Sequence, residues 1–442
     1  MIERVVRARK AVLPEGVRAV SVAIEGGRIA AISEYEDDHG CADIVELTDD
    51  EVLLPGLIDI HVHVNEPGRT EWEGFLTATK AAAAGGITTL VDMPLNSSPT
   101  TVSLDALNLK REVAADKIRM DVGFWGGAVP GNIPEIKPMW EAGVFGFKCF
   151  LGDSGLPEFP FLSPEELREA MAEIASFGGL LIVHAEDAGV LDESPAADGP
   201  NFGVFMNSHP AKAEVVAVRN VIEAVRATGC RTHILHLAAS ETLPDIKAAK
   251  AEGLPITAET CPHYLTFEAE EIPDGATQYK CCPPLRDHDN RLALWQGLID
   301  GTIDCIASDH SPCTVDLKKM ETGDFGKAWG GIASVQLGLP AVWTQAKAMG
   351  IPLTDVVRWM GSAPSDLVGL PRKGRLQVGA DADLVIFAPE ETFVVDKDRL
   401  FHKNPVTPYH GRTLSGTVHA TWLAGTPLDL EDTPRGAELT RN

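Results

Sequence analysis

Paired cysteine motifs are absent from this 442-residue sequence. None of its eight cysteines belongs to a CxxC motif, and several fall inside apolar, strand-like segments. A zinc ribbon or a disulfide framework would need closely spaced or regularly paired cysteines. The cysteine pattern therefore argues against both and favours a reducing compartment, so we expect a cytoplasmic protein.

Long apolar runs and an excess of positive charge are also missing. No uninterrupted apolar run reaches the length of a membrane span, and residues 1–16 lack the apolar core of a secretory signal. The net charge of −26 disfavours nucleic acid and anionic membranes as partners. With 44% hydrophobic and 23% charged residues, the composition is that of a soluble, globular protein.

Strand-like and helical segments alternate through the middle of the chain, between residues 55 and 374. The eight strand-like segments are 57–64, 87–93, 120–127, 144–151, 180–187, 232–238, 255–260 and 302–310. They are nearly continuous in apolar character, as are parallel strands buried on both faces. We therefore predict an α/β fold, a (β/α)8 TIM-type barrel. The alternative, a doubly wound sheet, would place its ligand site at a single switch point.

Strand-like patterns with few helical segments occupy both ends of the chain. Residues 1–54 contain a hairpin pattern around Gly26–Gly27, and a similar texture returns after residue 375. Because chain termini often lie close together, we predict a small, discontinuous β-sandwich domain from residues 1–54 and 375–442, outside a barrel of residues 55–374. The polar tail, 429–442, is expected to fray.

Two histidines separated by one residue, His61 and His63, lie at the end of the first strand-like segment. Because side chains alternate along a strand, both imidazoles face the same side, as a metal site requires. One such pair is a weak signal, but further polar residues occur at the ends of four later segments. They are Lys148, His184, His236 and Asp309. Barrel active sites lie at the carboxyl ends of the strands, so the pattern predicts one site that suits Zn²⁺ or a similar ion.

This order of residues on an eight-stranded barrel resembles the cyclic amidohydrolases of the amidohydrolase superfamily. The motifs PGLIDIHVHV (55–64) and KGRLQVGADADLVIF (373–387) extend the resemblance over nearly the whole chain. The resemblance implies that the six residues bind two divalent metal ions, zinc with cobalt or manganese as alternatives. It also implies that Asp309 is the general base. The protein is expected to be a homo-oligomer, specifically a tetramer.

The resemblance further implies a carbamate on Lys148. Burial lowers the pKa of a lysine, and a neutral amine can take up CO₂. The resulting anion has two oxygens and can bridge two metal ions, which activate a bridging hydroxide for hydrolysis.

Two positions distinguish the subfamilies. Asn65 stands where dihydroorotases usually carry an arginine for the substrate carboxylate, and Asp153 stands where hydantoinases usually carry a tyrosine. The motifs NEPGRTEWEGF, ETCPHYL, SDHSPC and AWGGIASVQ most resemble those of allantoinases, although Gly152–Asp153 replaces an expected Cys-Pro.

We therefore expect hydrolysis of the hydantoin ring amide of allantoin, a small cyclic amide, to allantoate. Asn96 and Ser311 are candidate substrate contacts. The alternatives are a hydantoinase or dihydropyrimidinase, a dihydroorotase, and a metal-free oligomeric scaffold. Scaffold relatives usually lack several of the six ligands.

Overall fold

The order of strands and helices is that of an α/β barrel flanked by terminal strands. A computed structural model of the chain describes residues 1–441, and Asn442 lies outside the described residues. The strands are β1 (Arg4–Leu13), β2 (Gly16–Glu25), β3 (Arg28–Ser33), β4 (Ile44–Glu46), β5 (Val52–Pro55), β6 (Leu57–Val62), β7 (Ile87–Asp92), β8 (Asp121–Phe124), β9 (Gly126–Gly127), β10 (Phe147–Phe150), β11 (Leu180–His184), β12 (Arg231–Ile234), β13 (Ile256–Thr260), β14 (Cys305–Ile306), β15 (Leu384–Val394), β16 (Thr413–Leu423) and β17 (Thr426–Pro427). The α-helices are α1 (Phe75–Ala84), α2 (Leu104–Ala114), α3 (Ile133–Glu141), α4 (Pro164–Ser176), α5 (Ala188–Asp192), α6 (Phe202–Ser208), α7 (Ala211–Thr228), α8 (Leu243–Ala251), α9 (Pro262–Thr266), α10 (His288–Ile299), α11 (Gly338–Ala348), α12 (Leu353–Val357) and α13 (Ala363–Val368).

Strands β6 to β14 form the barrel as two parallel sheets. The first contains β6, β7 and β8, and the second runs in order from β9 to β14. Phe145, two residues before β10, donates its backbone N–H to Phe124 O of β8 at 3.0 Å, which joins the two sheets. On the other side, His63 N donates to His310 O at 2.8 Å and closes the barrel. Each predicted strand-like segment contains a barrel strand, which confirms the predicted fold class.

The terminal segments form a separate sheet with its own apolar cluster. Its strand order is β17-β16-β15-β5-β1-β2-β3, and β4 pairs with β1. Strand β5 runs antiparallel to β15, with Leu54 opposite Val385, so the two ends of the chain share one sheet. Val22, Leu53 and Trp422 are buried together in its core. The boundaries at residues 54 and 375 stay a prediction.

Gly56 is the single residue between the terminal sheet and the first barrel strand. A Cβ atom there would lie 2.2 Å from Thr88 Oγ1 and 2.8 Å from Asp383 Cβ. Gly56 N also donates to Asp383 O at 2.8 Å. The two sheets therefore meet at a distance that only glycine allows. None of the helices described within residues 1–441 has the length and apolar character to cross a bilayer.

The polar C-terminal tail is ordered against the barrel, so the expected fraying is wrong for its described part. Leu439 N donates to Val122 O at 2.8 Å, and Val122 N donates to Ala437 O at 3.0 Å. The Arg441 guanidinium lies 3.5 Å from the ring centroid of Trp140. Open backbone groups at β8 and an aromatic face hold the tail, and neither partner is visible from the composition of the tail.

A buried lysine joins the barrel to the terminal sheet. Lys373 Nζ donates to Asp121 Oδ2 at 2.6 Å, at the start of β8, and to Asp383 Oδ2 at 2.7 Å, just before β15. Burial opposes the charge, but the two carboxylates outweigh it and raise the pKa of Lys373. Lys373 is therefore charged, and its ammonium is stabilised by both carboxylates.

We predict that Lys373→Ala destabilises the protein by about 3–5 kcal/mol, because it leaves Asp383 buried without its counter-charge. Denaturant unfolding followed by circular dichroism measures the change. The control is Lys347→Ala, which removes an exposed pair with Glu390 and should cost less than about 1 kcal/mol. Equal effects of the two substitutions would contradict the role of Lys373.

Candidate metal centre

A cavity of about 570 Å³ opens at the carboxyl ends of the barrel strands. Its size suits a small-molecule ligand. It is lined by five of the six predicted metal ligands and by both candidate substrate contacts: His63, Lys148, His184, His236, Asp309, Asn96 and Ser311. The sixth predicted ligand, His61, is fully buried beside them.

The His61 and His63 rings are oriented by hydrogen bonds on their outer side. His61 Nδ1 donates to Glu259 Oε1 at 2.5 Å, and His63 Nδ1 donates to Leu95 O at 2.7 Å. A carboxylate and a carbonyl only accept, so each Nδ1 carries the proton and each Nε2 keeps its lone pair. Both Nε2 atoms face Asp309 Oδ1, at 3.2 Å from His61 and 3.5 Å from His63.

His184 and His236 form a second pair across the cavity. His184 Nε2 donates to Glu186 Oε2 at 2.9 Å, which leaves a lone pair on its Nδ1 atom. That Nδ1 atom lies 2.9 Å from His236 Nε2. The other ring nitrogen of His236 is buried without a hydrogen-bond partner among residues 1–441. The ring of Phe150 stacks on His184, with centroids 4.3 Å apart, and limits its rotation.

The surroundings shift the pKa values of both Lys148 and Asp309. Lys148 Nζ is 3.3 Å from His61 Nε2, and burial lowers the pKa of this lysine to about 8. Burial opposes ionisation of Asp309, but His61 and His63 outweigh it and hold its pKa well below the usual value. The site therefore contains an ionised carboxylate and an amine that is readily neutral.

Burial favours the neutral form of three of the imidazoles. It lowers the pKa of His63 to about 4 and also lowers the pKa of His184 and His236. Neutral imidazoles are the form that binds metal ions. The donor atoms of His61, His63 and Asp309 lie within 4.8 Å of one another. The histidine lone pairs that face the cavity, the Asp309 carboxylate and the Lys148 amine in its neutral form are together suited to bind divalent metal ions.

Two of the predicted ligands have left-handed backbone conformations that side chains other than glycine rarely adopt. The φ angles are 34° at His236 and 43° at Asp309, and nearby Asn65 has 66°. Such conformations cost of order 1–3 kcal/mol each and are concentrated at functional sites. The barrel therefore holds these residues at the cavity against their local preference.

The structure brings all six predicted ligands to one place, and their roles stay predictions. Lys148 is the second residue of β10 rather than its last, and Asp309 follows the two-residue strand β14. Asn96 donates to Asn65 Oδ1 at 3.3 Å. Ser311 packs against Gly331, where φ is 125° and a Cβ would lie 2.7 Å from the serine hydroxyl.

Three residues that hold the predicted ligands in place were not predicted from the sequence. Glu259 bonds both His61 and His233, Glu186 bonds His184, and His209 Nδ1 donates to Glu186 Oε1 at 2.9 Å. A glutamate inside the apolar segment 255–260 was a usable signal, because a buried carboxylate needs a partner. His209 lies on a connecting segment, and no pattern in the sequence pairs it with Glu186.

Comparison with known sequences identifies relatives over the full length of the chain. The sequence profile of the Amidohydrolase family matches residues 52–199 and 207–428. An allantoinase from Streptomyces avermitilis is 54% identical over 443 residues, which cover 100% of this chain and 99% of that protein. An allantoinase from Arabidopsis thaliana is 45% identical, over 95% of this chain and 87% of that protein.

Solved structures with the same fold are also similar over the full length. The L-hydantoinase (dihydropyrimidinase) from Arthrobacter aurescens has a TM-score of 0.93 and 30% identity, and the match covers 100% of both chains. The dihydropyrimidinase from Brevibacillus agri has a TM-score of 0.90 and 26% identity, over 100% of this chain and 99% of that one.

We predict that Glu186→Gln weakens metal binding by about 10- to 100-fold, because the amide no longer accepts from both His184 and His209. Competition with a chelator measures the metal affinity. Glu252→Gln, which alters an exposed partner of Arg226, is the matched control and should leave that affinity unchanged. Unchanged metal affinity in the Glu186 variant would show that its hydrogen bond does not orient a ligand.

Proposed function

Because this chain belongs to the amidohydrolase family, we propose that it is an allantoinase. It is a hydrolase of cyclic amides, and its reaction opens the hydantoin ring of allantoin to give allantoate. The observation that carries the substrate assignment is the 54% identity with the Streptomyces avermitilis allantoinase over the whole chain.

The charge distribution of the cavity supports an uncharged ring as substrate. Among residues 1–441, the cavity lining contains no arginine. The nearby Arg69 is engaged, since it donates to Asn96 O at 2.6 Å and to Glu158 Oε1 at 2.7 Å. Lys280, which lines the cavity, donates to two backbone carbonyls. A substrate carboxylate such as that of dihydroorotate would lack a guanidinium partner.

Two divalent metal ions would be held by the six ligands, one beside His61, His63 and Asp309 and the other between His184 and His236. When bound, such ions polarise a carbonyl and lower the pKa of water. Lys148 lies next to His61, and we propose that its neutral amine takes up CO₂ and releases a proton to solvent, so that the resulting carbamate would supply an anionic ligand to these ions. Zinc suits this donor set, with cobalt or manganese as alternatives.

Asp309 moves the proton in this proposal. Its carboxylate is ionised, lies in the cavity lining and has Oδ1 directed at the histidine pair. It accepts a proton from the attacking water and returns it to the ring nitrogen that leaves. Asn96 and Ser311 present an amide and a hydroxyl to the same cavity, and we propose that they bond the polar edges of the ring.

Location and assembly are part of the proposal. All eight cysteines are free, which supports a reducing, cytoplasmic compartment. We also propose a homotetramer. Light scattering of the purified protein tests the assembly directly.

We predict that the purified, metal-loaded protein hydrolyses allantoin in preference to hydantoin, dihydrouracil and dihydroorotate, because its relatives are allantoinases and its cavity is free of arginine. Parallel turnover assays measure this preference, and a chelator should abolish the activity. Preferential turnover of hydantoin or dihydrouracil would support the alternative, a hydantoinase or dihydropyrimidinase. Retained metal without turnover of any ring would refute the substrate assignment.

We predict that Asp309→Asn lowers kcat on allantoin by about 10²- to 10⁴-fold, because an amide cannot accept the proton. Metal content is measured alongside, so that loss of a ligand is separated from loss of the base. Asp316→Asn, at an exposed position, is the matched control. Normal turnover by a metal-loaded Asp309→Asn variant would assign the base to another residue.

A further inference from the structure

A cysteine, a histidine and a glutamate form a connected group in the wall of the cavity. Cys282 Sγ lies 4.0 Å from His209 Nε2, within the range of a sulfur hydrogen bond, and His209 Nδ1 donates to Glu186 Oε1 at 2.9 Å. All three residues line the cavity. A thiol, an imidazole and a carboxylate connected in this order have the arrangement of an activated nucleophile.

A cationic imidazole lies beside Cys282. Burial opposes the charge on His209, but Cys282 and Glu186 outweigh it and raise the pKa of the imidazole to about 11. Lys280 lines the same cavity, but its ammonium donates to the backbone carbonyls of Phe325 and Ala328. A cysteine beside a protonated imidazole is more reactive than an isolated thiol, since the thiolate is the nucleophile.

The other cysteines differ from Cys282 in burial or in surroundings. Burial raises the pKa of six of them and makes them inert: Cys149, Cys230, Cys261, Cys281, Cys305 and Cys313. Cys41 is partly exposed, as Cys282 is, but its sulfur contacts the backbone carbonyl of Asp43. The contrast singles out Cys282 as the reactive thiol of the chain.

We propose that Cys282 is a covalent modification site for small, uncharged carbon electrophiles, with the protonated His209 imidazole as the group that stabilises the attacking sulfur. With a haloacetamide, the sulfur forms a bond to the methylene carbon and the carbon–halogen bond breaks, so that halide leaves. With an α,β-unsaturated carbonyl, the sulfur adds to the β-carbon and the α-carbon takes up a proton from water. Neither reaction needs a further reactant.

Modification at this position should close the cavity to substrate. Cys282 lies on the same wall as Gly330, where a Cβ atom would come within 3.5 Å of its sulfur. Because Gly330 lies against the sulfur, an added acetamide group would occupy part of the cavity that the predicted ligands also line. Electrophiles would thus act on the proposed function as covalent inhibitors, and substrate in the cavity would slow their reaction.

The experiment treats the metal-loaded, full-length protein with iodoacetamide at neutral pH and locates the label by peptide mass spectrometry over time. We expect Cys282 to react at least about tenfold faster than Cys41, and allantoin turnover to fall in step with its labelling. Cys282→Ser, compared with its own untreated rate, should be insensitive to the reagent. Cys41→Ser is the matched control and should remain as sensitive as the parent protein.

The role of His209 is tested by His209→Gln, with circular dichroism to establish that the variant is folded. Labelling of Cys282 should slow by about tenfold, and the ultraviolet absorption of the thiolate should decrease. The labelling and absorption measurements do not depend on the substrate, so their failure is distinct from failure of the allantoinase assignment. Labelling of Cys41 before Cys282, or full labelling of Cys282 without loss of turnover, would overturn the proposal.

Discussion

The hydrogen bonds on the outer side of the buried histidines are the interaction on which the site depends. Glu259, the Leu95 carbonyl and Glu186 accept hydrogen bonds from His61, His63 and His184, respectively. Each bond assigns the proton to the outer nitrogen and directs a lone pair into the cavity. Without these acceptors the rings could rotate or exchange tautomers, and the same residues would not form a metal site.

These acceptors impose a cost that the barrel has to offset. Glu259 and Glu186 are buried carboxylates, and a buried charge is stable only when it is paired or well hydrogen-bonded. Glu259 bonds His233 as well as His61, and Glu186 bonds His209 as well as His184. The network thereby extends from the ligands to the cavity wall, where His209 also contacts Cys282. The candidate metal centre and the proposed reactive thiol lie at two ends of this one set of contacts.

Sequence patterns predicted the barrel because buried parallel strands leave a strong apolar signal, and the eight segments each contain a strand. They also pointed to His61, His63 and the four later residues, because polar groups at the ends of apolar strands are conspicuous. The left-handed backbone at His236 and Asp309 could not be predicted, since tertiary contacts impose it. The docked tail was missed for a similar reason: its partners, Val122 and Trp140, are far away in the chain.

The most direct test of the account is anomalous X-ray diffraction from crystals of the zinc-loaded protein, recorded on both sides of the zinc absorption edge. The account predicts two zinc peaks within the ligand set, one beside His61, His63 and Asp309 and the other between His184 and His236. Additional density on Lys148 Nζ, reaching both peaks, would complete the proposed centre. A zinc peak away from these residues, or none in protein shown to contain zinc, would contradict it.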